Sequence, residues 1–142
     1  MDELKEQYMT TQFIVVRYGD EQFGIDIKYV DNIVRMQRIT RVPKVQSYIK
    51  GVINLRGTVI PLIHLNEVLD NESTKKPDEN LLVIIVKKGD KLAGLVVDEL
   101  MGQQEIVIKS LGNYINKNKI ISGATILGDG EIALILDTNA LL

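Results

Sequence analysis

His64 is the only histidine in the chain, in Leu62-Ile63-His64-Leu65, and any Ser/His/Asp hydrolase would have to use it as the general base. The serines at 47, 73, 110 and 122 lie in no nucleophile-elbow sequence. No Cys, His or carboxylate stands at ligand spacing from His64, so zinc chemistry has no donor set here. His64 therefore reads as a strand-end residue, exposed to solvent or making one hydrogen bond. Asp26 and Asp98 follow similar glycine-containing hairpins and are the pair a glycosidase reading would choose. Paired acids need an apolar cleft to separate their pKa values, and sugars need aromatic platforms, whereas aromatics are 5% of this chain. The glycines at 19, 24, 51, 57, 89, 94, 123, 128 and 130 mark strand ends, and none opens a phosphate-cradling loop before a helix. They read as turn and bulge residues. The expectation is of no catalytic residue, no metal and no cofactor.

The elements that position these residues are strands. The 142-residue chain is rich in β-branched residues. Its length suits one domain, or two small ones sharing a core, with about two thirds of the extended surface buried on folding. Seventeen basic against nineteen acidic residues leave a net charge of −2, which lacks the basic stripe a nucleic-acid binder needs. A small nucleic-acid-binding barrel is thus a remote alternative. No cysteine is present, so there is no disulfide framework. The charged start, Met1-Asp2-Glu3-Leu4-Lys5-Glu6, is no secretory signal, and no apolar run approaches the roughly 20 residues of a membrane helix. These features point to the cytoplasm.

Residues 1–10 read as a polar N-terminal arm. Phe13–Tyr18 and Gln22–Ile27 read as strands around the turn Gly19-Asp20, the second with alternating apolar residues. Tyr29–Met36 reads as one helical turn plus a strand. Gly51–Leu55 and Thr58–Ile63 form a hairpin across Arg56-Gly57, in which Pro61, lacking an N–H, requires an edge or a bulge. Asn66 caps a short helix over 66–69, and the wholly polar segment Asp70–Asn80 is a solvated loop. Strands at Leu81–Val86, Leu92–Val97, Ile120–Leu127 and Glu131–Leu136 follow, with a closing helical turn from Asp137.

The two halves echo each other. Phe13–Asp20 matches Val83–Asp90 at an offset of 70 residues, and Gly24-Ile25 matches Gly94-Leu95 at the same offset. Gly51–Leu65 matches Gly123–Thr138 with one inserted turn residue. Glycines matched at turns favour duplication over chance. The expected fold is all-β: two five-stranded β-barrel subdomains sharing a hydrophobic core, with halves near 13–69 and 82–141 and strands open to exchange between them. Leu95-Val96-Val97 is apolar throughout, so both of its faces should be covered, which places the second half's hairpin at the junction or under a partner.

Two segments carry more apolar surface than connections need: Tyr29–Val34, and Leu100-Met101-Gly102 at the equivalent place in the second half. A groove lined by both would take an amphipathic helix. Arg56, alone in an apolar hairpin, reads either as a solvated turn residue or as a planar fork for a partner's carboxylate or backbone.

At Gly51-Val52-Ile53-Asn54-Leu55-Arg56-Gly57-Thr58-Val59-Ile60-Pro61-Leu62-Ile63-His64-Leu65 the sequence resembles the hallmark segment of the CheW family of chemotaxis coupling proteins. Tyr18–Ile27 and Lys91–Asp98 resemble it too, and the likeness runs from about residue 11 to 141 as a single domain. The resemblance implies two intertwined SH3-like barrels in a non-catalytic scaffold. Its implied partners are the regulatory domain of the histidine kinase CheA and the cytoplasmic tips of methyl-accepting chemoreceptors, in arrays at the inner face of the membrane. It implies a receptor-binding groove with Ile27, Val30, Ile33, Arg56, Gly57 and Leu100. Gly51, Gly94 and Gly123 match the family's turn glycines. Thr40, Arg41, Val42 and Pro43 stand for the kinase-facing surface. Two departures are Asn32, where many relatives are acidic, and His64, where an aspartate is common and a tolerated surface change is inferred. The alternative is the same module within a larger kinase or coupling protein; the Met1 start and closing helix favour a free-standing chain.

Overall fold

The computed structural model describes residues 11–42, 49–65, 81–107 and 120–142. The N-terminal arm, the helix expected over 66–69, the polar segment 70–80 and Pro43 lie outside them. Ten strands follow in order: β1 Thr11–Tyr18, β2 Glu21–Asp26, β3 Val30–Arg35, β4 Ile49–Leu55, β5 Thr58–His64, β6 Leu82–Lys88, β7 Lys91–Val97, β8 Glu99–Ile106, β9 Ile121–Ile126 and β10 Ile132–Leu136. A 3-10 turn, Ile27–Tyr29, precedes β3, and Asp26 caps it by accepting from the Lys28 amide. A short helix α1, Thr138–Leu141, closes the described chain with Asp137 as its N-cap. The helical turn expected near Tyr29 is thus displaced two residues earlier, because the Asp26 carboxylate captures a free amide at that point.

The strands form two five-stranded sheets, in the orders β8-β1-β2-β10-β9 and β3-β6-β7-β5-β4. The repeat explains this. Under the duplication β1 corresponds to β6, β2 to β7, β3 to β8, β4 to β9 and β5 to β10, and the exchange converts one sheet order into the other. Each sheet therefore takes its central hairpin from one half of the sequence and its flanking strands from the other. The matched register shows how deep the likeness goes. Val30 opposes Val86 just before a bulge in β3, and Leu100 opposes Val16 just before a bulge in β8.

Alternate side chains of the central hairpins face different cores. Ile14, Val16, Phe23 and Ile25 from β1–β2 meet Ile84, Val86, Leu95 and Val97 from β6–β7 in a cluster between the sheets. Opposite faces fill two barrel interiors. In the β8–β9 barrel these are Phe13, Val15, Ile106, Leu127, Ala133 and Ile135. In the β3–β4 barrel they include Ile53, Ile60, Leu62, Val83, Ile85 and Val96. Each fully buried side chain of this size contributes about 1.5–3 kcal/mol relative to exposure. Both faces of Leu95-Val96-Val97 are covered, as expected, but the first half's hairpin lies at the junction equally. Ile25 is buried whereas Ile27 is 37% exposed, because β2 ends at Asp26 and Ile27 opens the 3-10 turn.

Three expectations need correction. Pro61 is at neither an edge nor a bulge, since β5 lies between β7 and β4 and the β4 bulge falls opposite Leu62 and Ile63. Val52, its partner in β4, directs its own N–H and C=O to Thr40, so Pro61 also faces away from β4, and pairing with β7 begins only at Leu62. The missing donor thus falls where no ladder bond is required. His64 is not a surface residue: it is 7% exposed, in register with the buried Val96 of β7. Gly94 and Gly123 are not turn glycines; they lie inside β7 and β9. Gly94 is there for space, because a Cβ would stand 2.5 Å from Val83 Cγ1 and 2.8 Å from Leu62 Cδ2. Gly123 opposes Ile135 beside a bulge in β9 at Ser122. Gly51, in β4 rather than a turn, has φ +155° and would press a Cβ to 2.6 Å from the Thr40 carbonyl.

Candidate docking surfaces

The Asn54–Thr58 hairpin is built to present one cation. Arg56 and Gly57 both have positive φ, 53° and 86°, the pattern of a type I′ turn. Glycine adopts this readily; arginine does so at a cost of about 1–2 kcal/mol. Among the described residues, Arg56 is the one non-glycine with positive φ. Asn54 Oδ1 accepts from the Gly57 amide at 2.8 Å and holds the turn. The Arg56 side chain is exposed.

Val30 and Ile33 sit half-buried on β3, packed against the cluster between the sheets. Ile27, 37% exposed, opens the preceding turn, where Lys28 lies over the Tyr29 ring at 5.1 Å. Asn139 Nδ2 donates to Tyr29 Oη at 3.1 Å, and Lys88 Nζ to the Asn139 carbonyl at 3.4 Å, so α1 braces this turn. Leu100, 38% exposed, opposes Val16 on β1 and is the duplication partner of Val30. The structure therefore gathers Ile27, Val30 and Ile33 along one edge and puts Leu100 at the equivalent place on the other sheet. Arg56 and Gly57 stand on a separate hairpin, with β6 and β7 between β5 and β3 in the sheet order. Asn32 is exposed on β3.

Thr40 pairs with Val52 through two 2.8 Å backbone hydrogen bonds and closes the barrel over the β4 edge. Arg41 and Val42 follow it, exposed. At the corresponding place in the other barrel, Thr125 Oγ1 donates to the Val107 carbonyl at 3.2 Å.

Sequence reasoning missed one apolar surface. Ile126 and Ile132, 63% and 62% exposed, oppose each other on the β9–β10 hairpin. β10 is apolar on both faces and β9 turns the polar Thr125 inward, so a period of two did not mark Ile126 and Ile132 as outward-facing. The exposed charges around the two hairpins also differ in sign. Asp20, Glu21, Asp129 and Glu131 surround the Ile126–Ile132 end, where Gln22 donates to Glu131. Arg56, Lys87, Lys88 and Lys91, with Asp90, surround the Val59 end.

Comparison with known proteins gives this arrangement a family. The profile described as "CheW-like domain" matches residues 12–142. The chain belongs to the CheW-like family. The CheW-like fold is also seen in the crystal structure of the scaffolding protein TtCheW from Thermoanaerobacter tengcongensis, with TM-score 0.80, 26% identity, and coverage of 91% of this chain and 90% of that one. The chain is 45% identical over 129 residues to the chemotaxis protein CheA of Bacillus subtilis, covering 91% of itself and 19% of that protein. It is 37% identical over 87 residues to the chemotaxis protein CheW of Klebsiella aerogenes, covering 61% of itself and 52% of that protein. The chain thus matches a fifth or less of the CheA proteins and about half of that CheW. Among the described residues of this CheW-like chain, no helix is long and apolar enough to cross a membrane.

Proposed function

We propose that this chain is a non-catalytic chemotaxis scaffold that couples the cytoplasmic tips of transmembrane chemoreceptors to the histidine kinase CheA, within arrays at the inner face of the membrane. The observation that carries the reading is the exposed Arg56, held in left-handed backbone at a hairpin tip where glycine would sit without strain. Strain kept at an exposed position is most simply explained by a contact that needs that side chain. Receptor docking uses Arg56 and Gly57 with the apolar edge Ile27, Val30, Ile33 and its counterpart Leu100. An amphipathic helix supplies the matching apolar stripe.

The kinase regulatory domain, of the same fold, docks at the barrel ends, with Thr40, Arg41, Val42 and Pro43 at one contact. The unlike signs of the two hairpin ends support contacts of head-to-tail type, which close into rings when the rotation permits. Such a scaffold does no chemistry; its differential affinity for two kinase states biases one against the other.

Co-purification with the kinase regulatory domain, with and without a receptor-tip fragment, tests this. Arg56→Glu is expected to weaken the receptor fragment by about tenfold or more while the protein stays folded. Unchanged capture of the receptor fragment makes Arg56 a turn residue and removes the basis of the reading.

A further inference from the structure

Asp98 is one of the two carboxylates that a search for chemistry selects, and its role is mechanical. Its side chain is 9% exposed. Asp98 Oδ2 accepts the Gly19 amide at 2.6 Å and faces Arg17 Nη1 at 3.6 Å. Arg17 in turn donates to the Gly19 carbonyl at 2.9 Å and to Glu99 Oε2 at 3.2 Å. The Asp98 amide donates to the Arg17 carbonyl at 2.8 Å. Four of these polar contacts tie the β1–β2 turn to the corner between β7 and β8, across about 80 residues of sequence, and the fifth, Arg17 to the Gly19 carbonyl, steadies the turn itself. Hydrogen bonds to charged groups are the stronger kind, and the Asp98–Gly19 bond is partly shielded from water, whereas Arg17–Glu99 is exposed.

The corner is the start of the receptor-facing edge. Leu100 lies two residues after Asp98, opposite Val16, and the bulge at Met101 follows at once. Where the corner sits determines where Leu100 and Met101 project. The duplicated corner is made differently. Position 28 carries a lysine where the second half has Asp98, and the 3-10 turn capped by Asp26 and braced by Asn139 does the holding. One edge is thus set by a helical turn, the other by an ion-paired clasp.

We propose that Asp98 and Arg17 are positioning residues for the Leu100–Met101 edge, so that receptor contact depends on them and kinase contact does not. The proposal rests on the receptor reading above. The full chain is titrated with a receptor-tip fragment and, separately, with the kinase regulatory domain, and amide exchange is followed in parallel. Asp98→Ala is expected to weaken receptor binding by about tenfold, the scale of one charged hydrogen bond. Kinase-domain affinity stays within about twofold, and faster exchange is confined to Gly19 and residues 100–102. Asp98→Asn keeps an acceptor for Gly19 but drops the charge, so it recovers part of the loss and serves if the alanine variant does not fold. Equal loss of both partners, exchange that quickens through both sheets, or receptor binding untouched by both substitutions overturns the proposal. Leu100→Asp and Arg56→Glu separate the two ideas. If they weaken receptor binding and Asp98→Ala does not, only the clasp falls; if neither does, the receptor reading falls first.

Discussion

The two barrels share a strand order and a register, yet their interiors are not alike. Where the β3–β4 barrel has Ile53, Ile60, Leu92 and Val96, the β8–β9 barrel has Thr125, Ala133, Gln22 and Asp26 at the corresponding positions. Phe13 stands in the second where Val83 stands in the first, so volume has moved rather than vanished. Backbone pairing fixes which residues oppose, and it is unforgiving, because a slip of one residue reverses every side chain. Packing is more tolerant, provided total volume and polar satisfaction are kept. Duplication has therefore preserved the ladder while one interior has become mixed and the other has stayed apolar.

Ile60→Ala would give the apolar barrel the residue its counterpart already has at 133. No Phe13 fills the gap there, so a loss of about 2–5 kcal/mol is expected in denaturant unfolding. A loss under 1 kcal/mol would mean that the two interiors are interchangeable. The next contrast is between the matched glycines. Gly94→Ala drives a Cβ against Val83 and Leu62 and should cost about 1–3 kcal/mol. Gly24→Ala meets chiefly the Ile135 Cδ1, the free end of a side chain at 2.9 Å, and should cost clearly less in the same measurement. Equal costs would erase the distinction between a tight barrel and a pliant one. Third, Arg56→Gly places at φ +53° the residue type that the counterpart of Gly57, Gly130, already uses in left-handed backbone. It should raise stability by about 1 kcal/mol while weakening receptor binding. Last, Gln22→Leu installs the residue found at 92. Its partner Glu131 is exposed and regains water, so the free energy of unfolding should change by less than about 0.5 kcal/mol.

The same contrast marks how far the sequence could be read. Most strands, the turns and the duplication were legible, because apolar runs are bounded by glycine-bearing turns that recur in both halves; β8, Glu99–Ile106, was not, since its run is largely polar. The central cluster was half legible: Leu95-Val96-Val97 announces two covered faces, whereas Asp26 hides the equal burial of Ile25. Which half completes which sheet was not legible, since exchanged and unexchanged pairings bury the same residues. His64 misled because polarity spoke louder than its place between two strands. Gly94 was taken for a turn residue because glycine signals freedom and spare room alike. The pair Ile126–Ile132 carried no outward mark. Nothing local links Asp98 to Gly19, whose contact exists only once the chain has folded.

The reciprocal threading of the sheets has a mechanical consequence. With strands of both halves interleaved, a push delivered at one barrel has no soft hinge in which to dissipate. The molecule should yield as one body, melting in a single step and relaying strain undiminished from one neighbour to the next, as a stiff washer does between two bolts.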